Sequence, residues 1–494
     1  MFQHLLRLIT AVVHKRKAPS DTKAVLNGPP TLDVVQQQFQ DCADLCHRAF
    51  PELKVDLLFF NHLISKEDLT RDVIVPLTHV EPHELPQMFA RTQYVQVDTC
   101  EAAVKKILEG QVALFHKGTA YLANIYNPET RSVQQSETET VIVGPHDAFV
   151  ESAESNLSLI RRKLRSPQLK VIKLEVGEVA KTVVCLCYIE GLVNQENVTE
   201  LVSRIQNIEV DCIIDGNMLV QHIDDSPNAI FPLFATTERV DTIVSRLVAG
   251  RIAGIVDGSP SAFAAPSAFF DFFTSPDDYY QRWPLATATR LLRFVAFVVT
   301  LTFTSLYVAV TTFHYEMIPE SLLITLTESR SRVPFPPLYE ALMMETTIEL
   351  LREAGARLPT KIGQTIGIVG GIVIGQAAVQ AGITSNILII AVASSAIASF
   401  VIPSYVMSAS IRLIRFGIII LAGILGNFGL MLGVAWVIIH LSGLTSLNTS
   451  YLTPVAPVRF NDWRDVFIRG PFWAFKNRPL ISRSPNQVRN KMKK

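Results

Sequence analysis

Three glutamates, Glu345, Glu349 and Glu353, stand four residues apart in PLYEALMMETTIELLREAGARLP. On a helix they form one stripe, and like charges stacked this way repel by roughly a few tenths of a kcal/mol per pair. Two readings fit such a stripe. It is a solvated outer face, or it is a carboxylate row facing water at a membrane or pore mouth, where anionic rings attract cations. A second pattern follows directly. GQTIGIVGGIVIGQ, residues 363 to 376, places Gly363, Gly367, Gly371 and Gly375 at four-residue spacing. A glycine-rich run can cradle a phosphate or let two helices touch. GIVGGIVIG lacks the GxGxxG spacing of a dinucleotide fold and lies inside an uncharged apolar run, so the helix-contact reading holds. Four glycines on one helical face leave a groove that another backbone can approach. Gln364, Gln376 and Gln380 fall on an adjoining face, and uncharged amides in apolar surroundings seek partners or water. Packing within the chain fits this face, and so does packing against copies of the same helix around a polar path. A second glycine set, Gly417, Gly423, Gly426, Gly429 and Gly433, sits in another apolar run and lets that helix bend.

No enzyme signature accompanies these patterns. GxxxxGK[ST], HExxH and GxSxG are all missing, so no catalytic residue is nominated and no cofactor is expected. Asp271, Asp277 and Asp278 lack the spacing of a metal loop. Cys42, Cys46, Cys100, Cys185, Cys187 and Cys212 include no CxxC pair, which argues against a metal site. They read as reduced thiols in the core of a cytosolic region. Lys plus Arg equals Asp plus Glu at 45 each, a balance that argues against nucleic acid as a partner.

The elements that must carry these residues divide near residue 286. Phe294–Phe313, Ile362–Ile383, Ile387–Met407 and Phe416–Leu441 are long runs without Asp, Glu, Lys or Arg. A helix needs roughly 20 apolar residues to cross the hydrocarbon of a bilayer, so four transmembrane helices are expected. Before residue 286 the chain reads as a soluble α/β region of two subdomains. Val55–Phe60, Val73–Val75, Val112–Phe115 and Ala120–Ile125 are strand-like in the first. Leu169–Val176, Thr182–Ile189 and Cys212–Ile214 are strand-like in the second. Helical stripes at Cys100–Glu109, around Ala148–Leu164 and at Val198–Ile208 alternate with them, which suggests partly parallel sheets. The expected divisions are a variable segment 1–31, with a short amphipathic surface helix in MFQHLLRLITAVVHKRK, then subdomains 32–145 and 146–285. A transmembrane domain 286–445 and a basic cytoplasmic tail 446–494 follow, with an amphipathic membrane-associated segment after Pro337.

From residue 451 the chain carries ten Lys or Arg against Asp462 and Asp465, interleaved with aromatics. That pattern places the tail beside anionic lipid on the cytoplasmic side. Arg282, Arg290 and Arg293 place the start of the first span there too. Four spans then leave Arg412 and Arg415 outside, against the positive-inside tendency. A partly inserted 338–351 segment, with a broken helix near Gly426–Asn427, would bring those arginines inside.

Several long motifs in order resemble one family. They are DGSPSAFAAPSAFFDFFTSPDDYYQRW (257–283), LYVAVTTFHYEMIPESLL (306–323), VPFPPLYEALMMETTIELLREAGARLP (333–359) and GQTIGIVGGIVIGQAAVQAGI (363–383). GPHDAFVESAESNLSLIRRKLRSPQLK (144–170) and VVCLCYIEGLVN (183–194) add to them. Over roughly residues 100 to 475 the chain is similar to the A-subunit family of bacterial spore germinant receptors, including its stage V sporulation AF branch. The resemblance implies a non-enzymatic, multi-pass protein of the spore inner membrane with cytosolic terminal regions. It implies self-association, with a pentamer as the expected assembly. The implied partners are a transporter-like B subunit and a lipoprotein C subunit, or a small membrane partner. The implied role is nutrient-triggered release of monovalent cations. The resemblance leaves open a scaffold or amplifier subunit that assembles without sensing germinant itself.

Overall fold

The structure is a computed structural model that describes residues 28–127, 136, 139, 141–358, 371 and 373–490. Its N-terminal half holds two five-stranded sheets. The first comprises β1 (Leu45–Phe50), β2 (Val55–Phe60), β3 (Tyr94–Val97), β4 (Val112–His116) and β5 (Thr119–Ala123). The second comprises β6 (Leu169–Val176), β7 (Thr182–Ile189), β8 (Ala235–Thr237), β9 (Ile252–Val256) and β10 (Ala262–Ala265). The orders are β1-β2-β4-β5-β3 and β6-β7-β9-β10-β8, so the two sheets repeat one topology.

Every ladder in both sheets is antiparallel, which corrects the expectation of partly parallel sheets. Short turns are the reason. Between β4 and β5 stand only Lys117 and Gly118, with φ of 48° and 82°. Two positive φ values make a hairpin turn whose twist matches the strands. The parallel pairings among the described residues are isolated bridges, Cys42 with Val171 and Ala180 with Cys212. Cys212–Ile214 is therefore a bridge and not a strand. Val73–Val75 is helical, corrected by Pro76 at the start of the helix Val75–His79. Proline suits the first turn of a helix because its missing N–H is unused there.

Apolar runs are continuous where both faces of a sheet are covered. In β2, Val55, Leu57 and Phe59 enter one core, and Leu58 and Phe60 enter another with helices α1 (Leu32–Gln38) and α2 (Cys100–Leu108). In β7, Cys185, Cys187 and Ile189 face α3 (Ala153–Lys163), while Val184, Leu186 and Tyr188 face the other way. That second core takes in α4 (Gln195–Gln206) and α5 (Gly216–Ile223) and runs on into the helical half through Phe269, Phe273, Ile411 and Leu441. Helix α6 (Val240–Val248) completes the subdomain. The two subdomains are joined by a buried ion pair, Arg161 to Asp44, with Nε and Nη2 donating at 2.8 and 2.9 Å. Lys170 adds bonds to the carbonyls of Gln38 and Gln40 at 3.2 and 2.6 Å.

The helical half comprises α7 (Trp283–Phe313), α8 (Glu320–Arg330), α9 (Pro337–Arg357), α10 (Asn386–Phe400) and α11 (Tyr405–Gly443). Among the described residues two helices, α7 and α11, are long and apolar enough to cross a membrane. Helix α10 has 15 residues, roughly 22 Å, and falls short of a bilayer core. The expected run Ile362–Ile383 lies partly outside the described residues. Of the four expected spans, the described residues therefore hold two helices of sufficient length.

Helix α11 is broken at Gly426, whose φ of 61° and ψ of −142° suit glycine alone. The chain reverses there. Ser410 donates to the carbonyl of Ile230 at 2.6 Å, and the rings of His440 and Phe231 are 6.0 Å apart. In one straight helix residues 410 and 440 would be about 45 Å apart. A Cβ on Gly433 would lie 3.0 Å from Ile418, so the arms 405–425 and 427–443 pack side by side. The tip of this hairpin meets the far end of α7, where Gly426 abuts Phe313 and His314.

The C-terminal residues fold back on the second subdomain. Asp465 accepts from Tyr279 at 2.8 Å, and Arg478 donates to the carbonyl of Val248 at 3.2 Å. The six cysteines are free thiols, and Cys42, Cys100, Cys185 and Cys187 are buried.

Candidate functional site

Helix α9 carries the glutamate stripe, and its sequence explains which side faces inward. Ala341 and Met344 enter a core with Val308, Leu388 and Ile419. Glu345 follows Met344 and is drawn into the same interface, where it is fully buried. Arg415, also fully buried, stands 2.6 Å from it. Thr304 of α7 donates to Glu345 at 2.8 Å. Arg415 donates to Ser395 of α10 at 2.8 Å, and Ser395 donates to the carbonyl of Thr300 at 3.2 Å. One ion pair thus ties four helices.

One turn along, the pattern repeats. Arg412 Nε donates to Glu349 at 3.0 Å and its Nη1 to Ser408 at 2.9 Å. Arg352 bonds both Glu349 and Ser399 at 3.0 Å, and its guanidinium lies 4.7 Å from the Phe400 ring. A third rung lies in the opposite direction. The backbone N–H of Ser385 donates to the buried Glu340 at 3.1 Å, and Arg330 stands 3.3 Å from Glu340. Tyr307 and Ser385 share a hydroxyl bond of 2.8 Å. Glu353 remains outside this interface and pairs with Arg357 at 2.6 Å.

The stripe therefore does not present three free carboxylates. Glu345 and Glu349 face Arg352, Arg412 and Arg415, which leaves one surplus positive charge. Ionisable side chains are expensive in apolar surroundings unless paired, and these are paired. The arginines that raised the topology conflict are the partners of the glutamates. Their spacing was a usable signal. Arg412 and Arg415 are three apart, Glu345 and Glu349 four apart, and both spacings fall on one face of a helix. Thr304, Ser395 and Glu340 gave no such signal.

The glycine face is separate. Gly363, Gly367 and Gln364 lie outside the described residues. Residues 373–380 are helical, and Ala378 enters the core with Val308 and Leu388. Gly371, Gln376 and Gln380 are exposed, and a Cβ on Gly371 or Gly375 would meet nothing within 4 Å. No group of three or more His, Cys, Asp or Glu side chains converges among the described residues.

Outside the helical half, burial and charge shift several groups, His62, Asp224 and Asp271 among them. Burial pushes His62 down to about 4, against the pull of Asp44. Burial, with Asp225 beside it, pushes the Asp224 carboxyl up to about 7. Burial alone would raise Asp271, but Arg246 and Arg251 outweigh it and hold that carboxyl well below the usual range.

Two topologically repeated α/β sheets carrying an apolar helical bundle with a buried charge ladder define a two-part protein, one part built for water and one for apolar surroundings. The family profile of the Bacillus/Clostridium GerA spore germination protein matches residues 33–481, and the chain belongs to that family. It is 48% identical to spore germination protein GerQA of Bacillus cereus, over 78% of this chain and 77% of that protein. It is 38% identical to spore germination protein KA of Bacillus subtilis, over 88% and 81%. It is 38% identical to spore germination protein A1 of Bacillus subtilis, over 87% and 90%. A crystal structure of the N-terminal domain of the A subunit of the Bacillus megaterium spore germinant receptor GerK3 is similar over 49% of this chain and 97% of its own. That likeness has 21% identity and a TM-score of 0.38, too loose to fix the fold.

Proposed function

We propose that this chain is the A-type membrane subunit of a spore germinant receptor, and that copies of it assemble around a path for monovalent cations. The observation that carries this reading is the open face of Gly371, Gly375, Gln376 and Gln380. It is uncharged, polar and without a partner among the described residues. In a bilayer such amides need a neighbouring helix or water, and small residues let helices approach closely. The names of the relatives, spore germination proteins of Bacillus, set the process. A transporter-like subunit and a lipoprotein are the expected partners, and the spore inner membrane the expected location.

In this reading α7 enters the membrane from the cytosolic side and the α11 hairpin returns the chain to that side. Both α/β subdomains and residues 446–494 then lie in the cytosol. Arg412 and Arg415 stay inside the bundle, held by α9. The glutamates of α9 hold that helix in register, and the glycine–glutamine face supplies the polar path.

The test is reconstitution of the full chain with its partners in liposomes. Germinant-triggered efflux of potassium is expected, and Gln376→Leu with Gln380→Leu should reduce it at least tenfold. Persistent absence of flux from correctly assembled complexes sinks the conduction reading and leaves a scaffold.

A further inference from the structure

A cavity of about 630 Å³ lies between α6, the segment Phe269–Phe273 and the returning C-terminal residues. That volume is typical of a small-molecule site. Phe270, Phe472 and Phe475 give it apolar walls. Tyr279 and Tyr280 line it as well, three or four residues before α7 begins at Trp283, so it opens at the base of the first long apolar helix.

Its charges are unequal in one respect. Every carboxylate around it is already engaged. Asp271 accepts from Arg251 and from Ala268, and pairs with Arg246 at 2.8 Å. Asp465 accepts from Tyr279, Asp241 pairs with Arg239 at 2.8 Å, and Asp462 accepts from Leu480 at 2.9 Å. The cations are not all spent. Two arginines share Asp271, which leaves a surplus charge in the wall. Arg251 is 3% exposed, and its buried Nε has no acceptor among the described residues. Arg464 and Lys476 line the cavity with side chains that have no partner among the described residues.

The unspent groups around the cavity are the buried Arg251 Nε, the exposed Arg464 and Lys476, and one neutral hydroxyl, that of Thr242. This mostly cationic set against aromatic walls selects an anion with an apolar body. A phosphate suits this set because it accepts from several cations at once and matches the arginine fork. We propose that this cavity binds a phosphate-bearing amphiphile, held by Arg464 and Lys476 at the charged end and by Phe270, Phe472 and Phe475 along the apolar end. Such a group can come from an anionic phospholipid at the membrane surface or from a soluble phosphate ester. The cavity belongs to the cytosolic half and does not depend on whether the helices conduct ions.

The test uses the purified full chain with two probes. Hexyl phosphate is titrated into delipidated protein in neutral detergent and followed by calorimetry. Retention of phosphatidylglycerol over phosphatidylcholine is followed by native mass spectrometry. Each measurement is made on wild type, on R464E/K476E and on Ser245→Trp, which places an indole at the cavity wall. Binding of at least one probe by wild type is expected, with both variants at least tenfold weaker at unchanged thermal midpoints. Hexyl phosphate binding without lipid retention assigns a soluble ester; the reverse assigns the lipid. If R464E/K476E fails to fold, Ser245→Trp decides alone. Binding of neither probe, or binding undiminished in the variants, overturns the proposal.

Discussion

Glu345 changes meaning once Arg415 stands 2.6 Å away inside four packed helices. Removing one member of a buried pair leaves the other charge uncompensated and costs on the order of 3–5 kcal/mol. Glu345→Gln and Arg415→Gln should therefore each lower the thermal midpoint of the detergent-purified chain by several degrees. Replacing both by leucine should recover most of the loss, because a buried pair contributes little beyond what apolar packing supplies. Additive losses in the double variant would show that the two residues are not coupled. His62 supplies a second residue-scale prediction. Its imidazole is held neutral, with the folded value about 4 against 6.5 for the free group. The unfolded chain then binds the extra proton below pH 6.5, so the contribution is present above that pH and is lost as pH falls toward 4. The full effect is roughly 3 kcal/mol. Amide exchange in β2 should speed up across that window, and His62→Gln measured at each same pH should remove the added acceleration. A parallel response in both proteins would rule His62 out as the cause.

Elements show where the sequence was legible. Strands β2, β6 and β7 were readable to the residue, because apolar and β-branched runs bounded by turn residues mark buried strands. The antiparallel pairing was not, since nothing local in a strand says which neighbour it will choose. The repeat of one topology in both subdomains was hidden for the same reason. In the charge ladder the glutamates were legible as a stripe, but the partners on α11, Arg412 and Arg415, lie some sixty or more residues away. The glycines of α11 sort themselves only in three dimensions. A Cβ on Gly429 would lie 2.0 Å from the Leu421 carbonyl oxygen, a backbone atom that cannot step aside. A Cβ on Gly417 would meet nothing within 4 Å. Gly429→Ala should therefore cost on the order of 3 kcal/mol through overpacking. Gly417→Ala should be neutral or stabilise by up to about 1 kcal/mol, the helix preference of alanine over glycine. Thermal midpoints of the two purified variants check this. Equal midpoints would mean that the hairpin arms are not in contact as described.

At the scale of the whole molecule, the question is what covers the glycine face. The chain packs Ala378 inward and turns Gly371 outward, so a large side chain at 371 disturbs nothing within the described residues. Gly371→Leu also favours the helical state, because leucine has the higher helix propensity. Within one chain this substitution should be silent or mildly stabilising. Between chains it should be severe, because the close approach that a small-residue face permits is blocked by an isobutyl group. The two scales therefore separate in a single pair of measurements. Mass photometry of the purified full chain should show wild type as a higher oligomer and Gly371→Leu as a monomer. The thermal midpoint of the monomeric variant should stay within the spread of surface substitutions, about 0.5 kcal/mol. An unchanged oligomer would place the subunit interface elsewhere. A collapsed midpoint would show that the groove is filled from within the same chain.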